Sequence, residues 1–133
     1  MADISITAAN VKAGSNAIVA HGIAGASITA GQAVHRNAAG KFILSDNDGA
    51  GLQQVDGIAL HAAATDQPLA VQTGGDVMIG ATLIPGTAYW LSGTGGGICP
   101  IADVTTGDDP ILIGIAKSAS LLMMKLADPN VTL

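Results

Sequence analysis

Short apolar runs separated by glycine- and aspartate-rich turns dominate this sequence and constrain its fold most strongly. Apolar residues recur at every second position, as where Ile4 and Ile6 alternate with polar neighbours. Successive side chains of a β-strand point to opposite faces, so this period of two predicts half-buried strands. Turn-forming residues separate the runs, for example at 37–40 and 46–49. We therefore expect an all-β protein, a compact sandwich or barrel of about ten short strands.

The strand candidates are spread along the whole chain, which predicts a single β domain over residues 1–133, with residues 1–12 as an N-terminal arm. They comprise residues 4–7, 17–23, 28–34, 42–44, 55–61, 69–73, 77–79, 87–92, 98–101, 111–117 and 121–126. The best helix candidate is the alanine-rich stretch 60–66, which is too short to change the fold class.

A weak internal repeat divides the chain into two halves. Residues 28–34 align with residues 83–89 at an offset of 55, which places Gly31 over Gly86, Gly40 over Gly95 and Ile43 over Ile98. Further along, the Gly-Ile-Ala sequence that starts at Gly57 recurs at Gly114, an offset of 57. Two similar β-units packed around one core would produce this pattern. Chance similarity in a chain rich in alanine and glycine would also produce it.

The composition favours a protein that assembles with other chains. Alanine and glycine number 24 and 18 of the 133 residues, and only 11% of the residues are charged, against about 25% in an average domain. A domain of this size has a large surface for its volume, and so few charges cannot cover it. We therefore expect part of the surface to be buried in an obligate oligomer.

Charge and hydropathy exclude several classes of partner. All ten acidic residues are aspartate, only five residues are basic, and the net charge is −5. Nucleic-acid binding is not expected, because it requires a cationic patch. The charge-free stretches 13–35 and 77–102 contain glycine, polar residues or proline, so we expect no membrane span. The opening residues resemble no secretory signal, and the lone Cys99 fits a protein made in a reducing cytoplasm.

The residues that could carry catalysis or bind a metal are poorly spaced for either. His21, His35 and His61 lack the short spacing of local metal sites. Residues 46–49 have no glutamate to complete a calcium loop and are better explained as an Asx-rich turn. Asp108 and Asp109 precede a proline and favour a turn, and Cys99 lies between apolar neighbours, as expected for a core residue. We expect no enzyme activity, no metal and no cofactor.

Tyr89 and Trp90 are two large aromatic neighbours in a chain that consists mostly of small side chains. As neighbours on one predicted strand they face opposite ways, so we expect one ring in the core and the other exposed. An exposed aromatic ring is typical of an interface hot spot or a ligand platform. Our interface candidates are Ile4, Ile6, Tyr89 and Trp90.

Several segments, in this order along the chain, resemble the capsid cement (head decoration) proteins of tailed phages. They are residues 2–11 followed by Gly14, residues 28–36, residues 55–60, residues 72–76, Tyr89 before a glycine-rich hairpin, and residues 113–116. The resemblance spans nearly the whole chain.

The resemblance implies a non-enzymatic β protein on the outer surface of the virion, made in the host cytoplasm. Such proteins usually form a homotrimer and clamp neighbouring subunits of the major capsid protein. The strand candidate 4–7 could then pair with an adjacent chain, and deletion of residues 2–9 is expected to weaken trimerisation or capsid binding.

Two other functions remain open on the sequence alone. A virion-surface module that binds a glycan or receptor would use Tyr89 or Trp90 to stack on a sugar. A small hydrolase would use His61 or the pair Asp108 and Asp109.

Overall fold

The computed structural model describes residues 3–49 and 51–133 and consists almost entirely of β-strands. Two 3₁₀-helices of one turn each, Ala8–Asn10 and Ile101–Asp103, are the helical elements of these ranges. The strands are β1 Lys12–Ala13, β2 Ile18–Ile23, β3 Ala33–Arg36, β4 Phe42–Leu44, β5 Gly57–Ala59, β6 Pro68–Gly74, β7 Asp76–Met78, β8 Ala88–Leu91, β9 Ile98–Pro100, β10 Leu112–Ala116 and β11 Leu121–Ala127. The all-β fold class is confirmed.

The strands form two antiparallel sheets. The six-stranded sheet has the order β1-β7-β11-β10-β8-β9, and the five-stranded sheet has the order β2-β6-β5-β3-β4. If the two-residue β1 is set aside, the two orders are the same, with β2 to β6 in the places of β7 to β11. We call β2 to β6 the first unit and β7 to β11 the second unit.

Strand register supports the equivalence of the two units. Val34 of β3 pairs with Gly57 of β5, and Tyr89 of β8 pairs with Gly114 of β10. These pairs are related by the two offsets seen in the sequence, 55 and 57. Shared strand order and shared register therefore favour duplication over chance similarity.

The alignment of the two central hairpins needs one correction. Arg36 pairs with Phe42, whereas Leu91 pairs with Ile98, so Phe42 and not Ile43 is the equivalent of Ile98. The second hairpin contains one more residue than the first. Consistently, Gly40 shares its positive φ of 79° with Gly96, at 76°, and not with Gly95.

Glycine is required for the same steric reason at one position in each unit. A Cβ atom added to Gly57 would overlap the backbone carbonyl oxygen of Gln72, on the adjacent strand β6. A Cβ atom added to Gly114 would overlap the carbonyl oxygen of Met123, on the adjacent strand β11. The close approach of these strand pairs explains why the Gly-Ile-Ala sequence recurs.

The larger of two apolar clusters joins the sheets. It consists mainly of residues from the second unit, including Val77, Leu91 and Leu122, but it also contains Ala33 and Ile58 of the first unit. The smaller cluster lies on the other face of the five-stranded sheet, where loop residues cover β3 to β6. Its members are Ala24, Ile28, Val34, Phe42, Ala59, Ala63, Leu69 and Val71.

The turn after β4 connects the two units by hydrogen bonds. Asp46 Oδ1 accepts the backbone N–H of Asp48 and of Gly49, which confirms the expected Asx turn. Inside this turn Asn47 is fully buried and donates from Nδ2 to the carbonyl oxygen of Leu91, at 2.9 Å. Its backbone N–H donates to the carbonyl oxygen of Ser92, at 3.0 Å.

Three sequence predictions differ from the observed elements. Residues 4–7 are extended but form no strand, and β3 begins only at Ala33, because residues 30 and 31 form a turn. Residues 60–66 form no helix. Ile28 and Ala63 instead exchange both backbone hydrogen bonds, each 2.9 Å long. This isolated bridge pairs the alanine-rich segment with the loop between β2 and β3, a tertiary contact that overrides alanine's preference for helix.

Candidate functional site

The N-terminal segment that we considered as an arm lies against its own chain. The N–H of Ile4 donates to the carbonyl oxygen of Ile98 at 2.9 Å, and the N–H of Thr7 donates to that of Gly80 at 2.8 Å. The side chains of Ile4 and Ile6 are half-buried and pack against the larger cluster. Both residues therefore contribute to the chain's own packing, and their role toward another chain stays a prediction.

The start of this segment is fixed by a side-chain network that sequence reasoning missed. The carboxylate of Asp3 accepts a hydrogen bond from the Ser92 hydroxyl, which in turn accepts the N–H of Thr94 at 3.0 Å. Asp3 and Ser92 are 89 residues apart, and no local pattern in the sequence links them.

Tyr89 and Trp90 point to opposite faces of the six-stranded sheet, as expected for neighbours on one strand. Tyr89 is 4% exposed, and its hydroxyl accepts the N–H of Ile84 at 3.0 Å. Trp90 is half-buried and lines a pocket of about 330 Å³ with Leu112, Ala127 and residues 128–129. Its indole Nε1 is buried and has no hydrogen-bond partner in the part of the chain that the structure describes.

Trp90 belongs to an apolar sheet face that no other layer of the described chain covers completely. Register pairs Trp90 with Leu112, Ala88 with Ile115, and Ile115 with Met123. The face consists of six half-buried apolar side chains, Ala88, Trp90, Leu112, Ile115, Leu121 and Met123. We call these six residues the Trp90 face.

The charged residues nearest to this face lie at its border. Lys117 and Asp76 form a salt bridge of 2.6 Å, and Asp128 lies beside Trp90 in the pocket. An uncharged centre with a charged border is typical of protein interfaces.

The three histidines do not come together. His35 is 1% exposed and exchanges a hydrogen bond of 2.8 Å between Nδ1 and the Ser45 hydroxyl. Burial lowers the pKa of His35 from its ordinary value of 6.5, and the negative charges of Asp56 and Asp46 oppose part of this effect. His21 and His61 are exposed. His61 Nε2 accepts the N–H of Ala70 at 3.0 Å, a structural role.

The acidic pair and the cysteine have local roles as well. Asp108 accepts the N–H of Thr105 at 2.9 Å and stabilises its own turn, whereas Asp109 accepts the hydroxyl of Thr132 at 2.6 Å and holds the C-terminal segment. Burial, assisted by the negative charge of nearby Asp3, raises the pKa of the Cys99 thiol to about 12. A protonated, buried thiol is a poor nucleophile.

Comparison with family models and with curated proteins identifies no relative of this chain. No family model matches the chain, and no curated protein matches it significantly. Within residues 3–49 and 51–133, no group of three or more His, Cys, Asp or Glu side chains is placed to hold a metal ion. The same ranges contain no helix long and apolar enough to cross a membrane.

Proposed function

We propose that this chain is a phage capsid cement protein, which binds the outer surface of the mature icosahedral head and clamps neighbouring subunits of the major capsid protein. It acts as a homotrimer on the virion, is made in the host cytoplasm, and has no enzymatic activity. The observation that carries the proposal is the ordered set of sequence segments that resemble such proteins.

The positions of these segments in the fold support the proposal. Residues 28–36 contain the turn before β3 and all of β3, residues 55–60 contain β5, residues 72–76 connect the two units, and residues 113–116 lie in β10. The resemblance therefore involves the framework of both units and not one exposed loop. A rigid scaffold with an uncharged face suits a clamp, which needs shape and attachment points.

Clamping requires only geometry and several attachment points. A trimer that contacts several capsid subunits combines weak patches into a strong attachment, because each further contact forms at a high effective concentration. The bound protein stabilises the head because it binds the assembled lattice and not the separated subunits.

Thermal unfolding of heads that lack this protein tests the proposal. We expect that saturating amounts of the purified chain raise the temperature at which such heads disrupt, followed by calorimetry or light scattering. An equal amount of heat-denatured chain serves as the control. No shift at full occupancy would refute the clamp.

The Trp90 pocket favours one alternative, a glycan- or receptor-binding module of the virion surface. The pocket is about 330 Å³ and has an indole ring in its wall, a surface on which sugars stack. Trp90 is the only tryptophan of the chain, so its fluorescence reports directly on the pocket. An emission change with host polysaccharide would support this alternative, and unchanged emission at saturating polysaccharide would remove it.

A further inference from the structure

We propose that the Trp90 face binds a second copy of this chain. The inference rests on the self-association included in the proposed function and assigns a surface to it. It follows from comparing the Trp90 face with the equivalent face of the first unit.

Register identifies the equivalent residues of the first unit. Four members of the Trp90 face have counterparts in the strand register: Ala33 for Ala88 and His35 for Trp90 at an offset of 55, Ile58 for Ile115 at an offset of 57, and Gln72 for Met123 at an offset of 51. All four counterparts are at most 1% exposed. At these four positions the face is thus closed in the first unit and half-open in the second, whereas Ala70, the counterpart of Leu121, is half-buried as Leu121 is.

The first unit's face is closed by the second unit. Ala33 and Ile58 pack in the same cluster as Tyr89, Leu122 and other residues of the six-stranded sheet. The side chain of Gln72 donates from Nε2 to the carbonyl oxygen of Asp76, at 2.7 Å, on the first strand of the second unit. Within one chain, this kind of face is therefore covered by another β-unit and is not left open to solvent.

The distribution of polar side chains between these two faces is the reverse of the usual one. At the four compared positions, the closed face contains two polar side chains, His35 and Gln72, and the half-open face contains none. The charged residue that register places beside the Trp90 face is Asp76, opposite Met123, and it forms the border salt bridge with Lys117. In a chain that acts alone, the more exposed face is expected to be the more polar one. The six side chains of the Trp90 face are contiguous, apolar and only half-buried, and contiguous apolar surface that stays accessible to solvent marks interaction sites. The Trp90 face is therefore better explained as covered in an assembly.

The arrangement of the copies is limited by the other face of the first unit. Inside one chain, the two units meet through unlike faces, but the remaining face of the first unit is already closed by Ala24, Ile28, Ala63 and Leu69. A head-to-tail continuation is therefore blocked. The Trp90 faces of the three copies therefore meet at the threefold axis of the proposed trimer, where neighbouring copies contact each other through different parts of the same face.

Sedimentation velocity of three full-length chains tests this surface. Wild type is expected to sediment as an oligomer of the 13.0 kDa chain. Ile115→Asp places a charge at the centre of the face, and we expect it to weaken self-association by roughly a hundredfold or more, because the charge would be buried without a partner. Met123→Lys introduces the opposite charge and should weaken self-association in the same way. It replaces Ile115→Asp in the test if that variant fails to fold.

The control variant is Ile18→Asp. Ile18 is 64% exposed on β2, an edge strand of the other sheet, and its substitution should leave the oligomer intact. If Ile18→Asp is the one variant that dissociates the oligomer, the interface lies at the β2 edge and the proposal is wrong. Oligomers that survive both Ile115→Asp and Met123→Lys, or a wild type that stays monomeric at high concentration, would overturn it too.

Binding to heads separates this inference from the proposed function. A monomeric wild type that still raises the disruption temperature of heads would refute the self-association surface and leave the cement function standing. An oligomer that Ile115→Asp dissociates, but that has no effect on heads, would support the surface and refute the function.

Discussion

The two β-units have the same strand order and the same register, yet they meet different surroundings. In the first unit, His35 and Gln72 are buried against the rest of the chain, with hydrogen bonds to Ser45 and to Asp76. In the second unit, the equivalent Trp90 and Met123 are half-exposed and apolar. A buried polar group is tolerated where fixed partners satisfy it, as Ser45 does for His35 and the Asp76 carbonyl does for Nε2 of Gln72, whereas Oε1 of Gln72 has no partner in the described chain. The comparison teaches that equivalent positions of the same fold can hold either buried polar or half-buried apolar side chains, depending on what covers them.

The largest expected effect comes from the paired glycines of the two units. Gly57→Ala and Gly114→Ala each place a methyl group against the backbone of a neighbouring strand, and each should lower the free energy of unfolding by about 2–3 kcal/mol. Chemical denaturation measures both effects.

Gly95→Ala is the matched control for these two variants. A Cβ atom at Gly95 would meet only the side chain of Leu44, at an ordinary 3.7 Å, so little change is expected. A large decrease in the free energy of unfolding for Gly57→Ala with no decrease for Gly114→Ala would show that the two units are not equivalent at this position.

The buried His35 of the first unit makes the stability of the chain depend on pH, and the second unit contains no histidine. The pKa of His35 is lowered in the folded state, so the unfolded chain binds a proton at a higher pH than the folded chain. Stability is then fully present above the ordinary pKa of 6.5 and is lost as the pH falls below it, by at most about 1.4 kcal/mol per pH unit. Urea unfolding at several pH values below and above 6.5 measures this slope.

Two variants identify the group responsible for the slope. His35→Gln should remove it, whereas His21→Gln, at an exposed histidine, should retain it. The same pH dependence in wild type and in His35→Gln would assign the effect to other groups.

The smallest effects distinguish the two aromatic neighbours. Tyr89→Phe removes the acceptor of the Ile84 N–H and should cost about 1–2 kcal/mol of unfolding free energy. Trp90→Phe removes a buried donor that has no partner in the described chain and should change stability by about 0.5 kcal/mol or less. Both are compared with wild type by chemical denaturation in the Ile115→Asp background, which removes any contribution of the proposed contacts between copies. A larger decrease in unfolding free energy for Trp90→Phe than for Tyr89→Phe would contradict this expectation.

The strands could be predicted from the sequence because alternation and turn residues are local signals. The runs at 69–73 and 111–117 both became strands, β6 and β10. The repeat was visible at Gly57 and Gly114 because a steric requirement fixes glycine in both units.

What the sequence could not predict depends on contacts between distant segments. The isolated Ile28–Ala63 bridge holds a helix candidate in a paired, non-helical conformation, and the hydrogen bond between Ser92 and Asp3 joins residues 89 positions apart. The hairpin alignment failed by one residue, since Ile43 and Phe42 are both apolar and only the register separates them. Nor does alternation indicate which face of a strand a second sheet will cover.

The accessibility of Trp90 tests the central claim, that the second unit's face is covered by a second copy of the chain, most directly. Acrylamide quenching of this single tryptophan is measured in wild type across a range of concentrations and in Ile115→Asp. We predict that quenching of wild type falls as the concentration rises and the copies associate, while the variant stays accessible throughout. Equal quenching of the two proteins at every concentration would contradict the account.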